Sequence, residues 1–309
     1  MAGSLGENVR NAARRQKWRA ARCQSAPRES VHSMPRICFV FFLVIFPAWA
    51  QLQGVIDLHV HSSPDSRPRT LTAIEVAQIA RRHGVRALLL KDHYTQTASM
   101  AFLVGQVVPG IEVYGAIALN RAVGGVNPAA VENMVKITGH LGRLVFMPTF
   151  DARQVPVSNQ GVLLPDVLEI LDIVARERLA IATGHLTADD SLLLLREARS
   201  RGIERMIVTH PLGSMTMEQM KEAARLGAFI EQTYNSTLSR PQRIDDIVAA
   251  VRGVGPEHTI LTSDLGLAGT PVHTDGLLTF FQQLRERGLT NDEIDRMSKQ
   301  NPARLLGID

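Results

Sequence analysis

From Leu52 to the C-terminus, short apolar runs alternate eight times with amphipathic stretches, a pattern few architectures accept. The runs are residues 55–61, 85–91, 113–119, 144–149, 180–185, 206–210, 228–233 and 259–263. Helical periodicity marks 71–83, 97–105, 128–137, 166–178, 189–201, 216–226, 243–253 and 276–287. Thr70 or Thr72 can cap the first helix, Asn127-Pro128 opens the third, and Gly84, Gly202, Gly227 and Gly288 supply stop signals. Strands that alternate with helices imply a parallel sheet. Eight such units in about 250 residues fit a single-domain α/β (β/α)8 TIM barrel, with 292–306 as a C-terminal capping helix. An open doubly wound sheet would want a glycine-rich phosphate turn after its first strand. Here that strand ends His59-Val60-His61-Ser62-Ser63-Pro64, without glycine. Residues 151–164, rich in Pro, Asn and Gly, form one long loop whose length suits a lid.

The formal charge of +4 suggests a nucleic-acid binder until it is divided along the chain. Residues 1–50 hold eight Lys/Arg and two Asp/Glu; the rest hold 26 and 28, so the body is slightly acidic. It has no electrostatic footprint for DNA or RNA. Both cysteines, Cys23 and Cys38, also lie in the leader, which excludes disulfides, thiolate metal sites and a cysteine nucleophile from the body. Residues 37–46 are an unbroken apolar run, preceded by Met34-Pro35-Arg36 and followed by Pro47-Ala48-Trp49-Ala50. That order matches a signal peptide over 34–50 with cleavage after Ala50, and 1–33 reads as an extension from a mis-called start codon. The run is too short for a bilayer span, which needs about 20 apolar residues. The expectation is a secreted or periplasmic protein with no stable membrane anchor, cytoplasmic if the leader does not function. Fold reasoning therefore applies to 51–309.

Nine histidines fall in the body, and five gather where the strands end. His59 and His61 end the first strand, His93 follows the second, and His185 and His210 end the fifth and sixth. In a barrel these ends converge on the face where such enzymes do chemistry. His83 suits a helix C-terminus, His140 and His258 precede strands on the opposite face, and His273 lies in the loop after the eighth. In His59-x-His61 the two imidazoles share one strand face, a spacing that lets both bind one ion. Thr-Gly-His at His185, Thr-His-Pro at His210 and the carboxylate of Asp264 complete the cluster. Imidazoles and a carboxylate without thiolates suit one or two divalent ions: zinc foremost, or manganese, iron or nickel.

H-x-H after strand one, His after five and six, and Asp after eight resemble the amidohydrolase superfamily of metal-dependent hydrolases. The resemblance covers about 55–306. Asp-Leu-His-Val-His, Gly-Gly-x-Asn-Pro, Thr-Gly-His and Asn-Pro-Ala also resemble an uncharacterised amidohydrolase-like branch. The resemblance implies that His59 and His61 hold the more buried metal, that His185 and His210 hold a second, and that Asp264 binds metal and acts as base. His93 is a further candidate for proton transfer. The chain departs from many binuclear members at strand four, which lacks a bridging Lys or Glu. Lys91, at the end of strand two, is either the displaced bridge, carboxylated, or a rim lysine paired with a carboxylate such as Asp151. A second resemblance, to the polymerase-and-histidinol-phosphatase phosphoesterases, uses His59/His61, Asp92-His93 and Gly110-Ile111-Glu112. Asp264 lacks that family's following x-His, and Glu112 opens its strand.

Arg67 and Arg69, after strand one, suit an anionic substrate group or are solvated loop charge. Asn120 and Asn127 are further substrate-binding candidates, against the alternative that Gly124–Pro128 only shapes a turn and cap. Of Glu231 and Gln232 one must point inward, and a buried structural network is the preferred reading. The expected function is metal-assisted hydrolysis of an amide, ester or lactone-like bond in a small molecule. The rivals are a phosphoesterase and a non-catalytic metabolite-binding barrel. Homo-oligomerisation is left open.

Overall fold

The computed structural model describes residues 52–309; the expected extension, signal peptide and cleavage point lie outside the described residues. Eight parallel strands follow one another in chain order: β1 (Ile56–Val60), β2 (Ala87–Leu90), β3 (Glu112–Ala118), β4 (Gly142–Phe146), β5 (Ala180–Ala182), β6 (Met206–Val208), β7 (Phe229–Thr233) and β8 (Thr259–Thr262). The seam between β8 and β1 is closed just beyond the strands. Val60 and Leu265 form a parallel bridge, and the buried Asp57 carboxylate accepts the Ser263 N–H at 3.0 Å. The expected (β/α)8 barrel is therefore present. Its helices are α1 (Ala73–Arg82), α2 (Ala98–Val107), α3 (Pro128–Lys136), α4 (Pro165–Arg176), α5 (Ala188–Ser200), α6 (Met217–Arg225), α7 (Arg243–Val254) and α8 (His273–Glu286).

Local chemistry sets the helix starts. Thr72 caps α1 in a reciprocal box with Glu75, and Thr216 does the same for α6 with Gln219. α8 begins at His273, three residues ahead of the periodicity. Its imidazole Nε2 donates to the carbonyls of His61 (3.1 Å) and Leu265 (2.9 Å), fastening the helix start to the rim.

Inside the barrel, Ile56, Leu58, Leu89, Ala116, Leu144, Ile207, Phe229 and Ile260 pack together. Ala303, Leu305 and Leu306 close this core from below, the capping role expected of the C-terminal stretch. That stretch is helical from Asn291 to Leu306, with one π-helical turn at Arg296–Gln300. Residues 151–164 differ from a free flap. Val155, Val157 and Leu163 are buried, and Ser158–Asn159 pairs with Val162–Leu163 as a short hairpin. Removing those apolar side chains from water fixes the loop to the helix layer. Among the described residues no helix is long and apolar enough to cross a membrane.

Candidate metal centre

Strand alternation alone does not deliver the histidines to the barrel mouth. In β1, Ile56 and Leu58 face the interior, so unbroken alternation would turn His59 and His61 outward. The pairing of β1 with β2 shifts register between Asp57 and Val60. Such an irregularity re-aims side chains: His59 and His61 turn in, and Val60 packs outward among the helices. His185 is likewise out of phase with Ala180 and Ala182. Gly184, at φ +59°, makes the turn, and a Cβ there would lie 2.3 Å from the Met147 carbonyl oxygen, so only glycine fits. His210 (φ +24°) and Asp264 (φ +51°) both hold left-handed backbone. Non-glycine residues in such regions cost about 1–3 kcal/mol each and persist where the surroundings fix them.

The result is a convergent donor set. Asp264 Oδ1 lies 3.0 Å from His59 Nε2 and 3.3 Å from His61 Nε2. Ligand atoms of these three residues all lie within 4.8 Å of one another. His185 and His210 meet through their Nε2 atoms at 3.3 Å, and the His210 ring stacks on His59 at 5.9 Å. The opposite ring nitrogens are already engaged. His59 Nδ1 donates to Glu231 Oε1 (2.9 Å) and His61 Nδ1 to the Lys91 carbonyl (3.0 Å). Glu231 also accepts from Thr262 Oγ1 (2.8 Å) and the His210 N–H (3.1 Å). Asn235 Nδ2 donates to Asp264 Oδ2 at 3.1 Å, which leaves Oδ1 toward the imidazoles. Imidazoles locked at Nδ1 by a carboxylate or carbonyl, with Nε2 facing a carboxylate, are the supporting arrangement of a metal site. The residues therefore fit a divalent ion.

Electrostatics agree with the geometry. Burial opposes a charged His59, but Asp264 and Glu231 outweigh it and raise its pKa to about 9. Burial pushes His61 and His185 down to about 3, and His210 down as well. Asp264 is held well below the usual carboxylate range; burial works against that, and the neighbouring His59 overrides it. One proton on His59 thus occupies the centre near neutrality, and a metal must displace it. Because the bound form needs neutral His59, affinity should fall as pH drops below about 9. The expected slope is about tenfold per pH unit for one released proton, measurable by zinc titration with proton release at pH 6–8.

The remaining candidates occupy distinct places. Lys91 is buried, with Nζ 2.8 Å from His59 Nε2 and 4.8 Å above the Phe146 ring. Burial lowers its pKa to about 8. It does not pair with Asp151, whose Oδ2 accepts the Arg121 N–H instead. His93 stacks 4.9 Å from His61 and meets the Phe150 ring at a tilt with centroids 3.9 Å apart, its Nδ1 lies 2.8 Å from Thr149 Oγ1, and burial pushes its pKa down.

Two substrate-binding expectations change. Asn120 donates to the His93 carbonyl and Thr149 Oγ1 and accepts from the Thr149 and Asp151 N–H groups. All four of its hydrogen-bonding positions knit the rim loops together, leaving none for a substrate. Asn127 caps α3 through the Ala130 N–H and donates to the Val123 carbonyl. The Arg69 guanidinium is buried against Asp65. Arg67 lies over Phe150 at 4.3 Å and donates to Tyr94 Oη at 2.9 Å. Glu112 pairs with Arg86 and Tyr114 at the start of β3, away from the rim, so the phosphoesterase motif lacks its glutamate.

Glu231 forms the buried network expected of it, and that network includes the candidate ligands His59 and His210. Its signal was its phase, two residues after the inward Phe229. We expect Glu231→Gln to weaken metal binding by about 10–100-fold while the barrel stays folded, read by competition with a chromogenic chelator. Unchanged affinity would remove Glu231 from the metal's support. Asp57 and Asn235 were also missed, because their roles depend on loops that meet only in the closed barrel.

Fold and site together define a (β/α)8 barrel with a nitrogen- and oxygen-rich centre at its C-terminal mouth. The chain belongs to a family of unknown function, DUF6282, whose model matches residues 54–231, more than half of its length. A search of curated proteins found no match. Among solved structures it is similar to an organophosphorus hydrolase from Deinococcus radiodurans at 17% identity and a TM-score of 0.58, covering 84% of this chain and 94% of that one. An amidohydrolase from Pseudomonas aeruginosa matches at 12% identity and 0.58, covering 84% and 97%. A proposed 2-pyrone-4,6-dicarboxylic acid hydrolase from Pseudomonas putida matches at 16% and 0.60, covering 83% and 98%. At these identities the likeness is one of fold.

Proposed function

We propose that this protein is a metal-dependent hydrolase of the amidohydrolase type, acting on an amide, ester or lactone-like bond of a small molecule. The observation that carries this reading is the convergence of His59 Nε2 and His61 Nε2 on Asp264 Oδ1, with His185 and His210 alongside. The names of the structural neighbours support hydrolysis as the reaction class. His59, His61 and Asp264 would hold one ion and His185 and His210 a second, zinc suiting this donor set best. When bound, the metal activates water and polarises the scissile oxygen. Asp264, kept ionised by its imidazole neighbours, takes the proton at Oδ1 and returns it to the leaving group. His93, neutral and packed against His61, lines the same mouth and is available to relay it. The leader makes the proposed location secreted or periplasmic.

Lys91 is the proposed bridge between two ions. Its Nζ adds to CO2 and loses a proton, giving an anionic carbamate, chemistry that a buried amine of lowered pKa favours. Two measurements test the reading. Zinc-loaded protein should hydrolyse members of an aryl ester, lactone and phosphotriester panel, and chelation should abolish the activity. No metal-dependent turnover of any member would contradict it. Lys91→Ala should lose one ion and most turnover, with propionate restoring part of both. Full metal content in that variant would make Lys91 a non-ligand.

A further inference from the structure

Beside the metal centre lies a cavity of about 370 Å³ whose wall includes His185 and His210. Its wall also includes Arg240 and Arg243, and no acidic side chain lines it. The two arginines leave the same turn, since the Arg243 N–H donates to the Arg240 carbonyl at 2.9 Å. Arg243 Nη1 donates to the Leu212 carbonyl at 2.8 Å, which holds the guanidinium two residues past His210. Its buried Nε has no hydrogen-bond partner. Neither arginine forms an ion pair with a carboxylate among the described residues, whereas Arg176, Arg196, Arg201, Arg252 and Arg287 all do. The hydroxyl-bearing Ser191, Ser214 and Thr209 add further polar groups to the wall.

A buried donor without a partner is costly, and two uncompensated guanidinium groups give the cavity a positive field. Their forked donors match the geometry of a carboxylate or a phosphate. We propose that the substrate is anionic away from its scissile bond, and that Arg240 and Arg243 bind this oxyanion while the reacting bond lies at the histidines. The inference rests on the hydrolase reading for the second half of that statement only; the oxyanion site stands on the arginines and the cavity.

Calorimetric titration of zinc-loaded protein with glutarate, its neutral diamide and inorganic phosphate tests this. Glutarate should bind at least about tenfold more tightly than the diamide, the difference a charge-assisted bond supplies. Arg240→Ala, an exposed position that leaves the fold intact, should remove most of that preference. Arg243→Lys, which keeps the charge but loses the fork, should weaken glutarate by several-fold while its circular dichroism stays unchanged. Repeating the titrations on chelator-treated protein separates this site from the metal. Arginine-dependent binding that survives zinc removal supports it, whether or not the hydrolase reading holds. Competition by phosphate with the same arginine dependence assigns the oxyanion to phosphate; its absence assigns it to carboxylate. Equal affinity for glutarate and the diamide, or glutarate binding indifferent to both substitutions, would overturn the proposal even in a zinc-loaded, active protein.

Discussion

Alanine at both His59 and His61 is expected to leave a folded barrel that holds almost no metal and turns over no substrate. The two imidazoles supply the nitrogen donors at the only three-residue cluster of this kind among the described residues. The wild type should carry about one or two equivalents of divalent ion. With both donors gone, His185 and His210 retain two nitrogens and no carboxylate of their own. The substitution also leaves the buried Glu231 and the partly exposed Asp264 without their imidazole partners. Stripping one side of a buried pair costs about 3–5 kcal/mol, softened here by Lys91 beside them. The melting temperature should therefore fall, while far-UV circular dichroism keeps its barrel signature. Metal content measured by plasma emission at or near wild-type values would contradict the assignment.

Asp264→Asn separates holding the metal from moving the proton. The amide keeps the size and one oxygen, so most of the metal should remain. It cannot accept a proton, and turnover should fall by roughly 10²–10⁴, the reach of general-base catalysis. Asn235, which donates to the Asp264 Oδ2, keeps an oxygen partner only if the new amide turns its own oxygen that way. A modest loss of metal affinity is therefore part of the expectation. Near-normal turnover with full metal would transfer the base to His93, which packs against His61.

The fold was legible because barrel strands and helices announce themselves by periodicity. Every barrel strand overlaps an apolar run that predicted it, and α3 starts at Pro128 because Asn127-Pro128 is a local signal. The rim histidines were legible for the same reason, as residues at strand ends. What sequence could not show was phase. Simple alternation sets His59 and Leu58 on opposite faces, and only the register shift in β1 brings both inside. Asn120 looked like a free rim group because its partner Thr149 comes from a loop whose approach no local pattern encodes, whereas Asp65 lies only four residues before Arg69 and that pair was within reach of a local reading. Arg240 and Arg243 carried no motif at all. Their significance comes from the position of Leu212, two residues beyond a candidate ligand, in a loop that α7 happens to meet.

The central claim is that a divalent ion sits among His59, His61 and Asp264. An anomalous-difference map from crystals of the zinc-loaded protein, collected on both sides of the zinc edge, tests it most directly. The account predicts a zinc peak about 2.0–2.1 Å from the Nε2 atoms of His59 and His61, with an Asp264 oxygen at about 2.0–2.2 Å. If the second site is filled, another peak stands beside His185 and His210. A map with no anomalous peak at these side chains, from crystals grown in excess zinc, would contradict it.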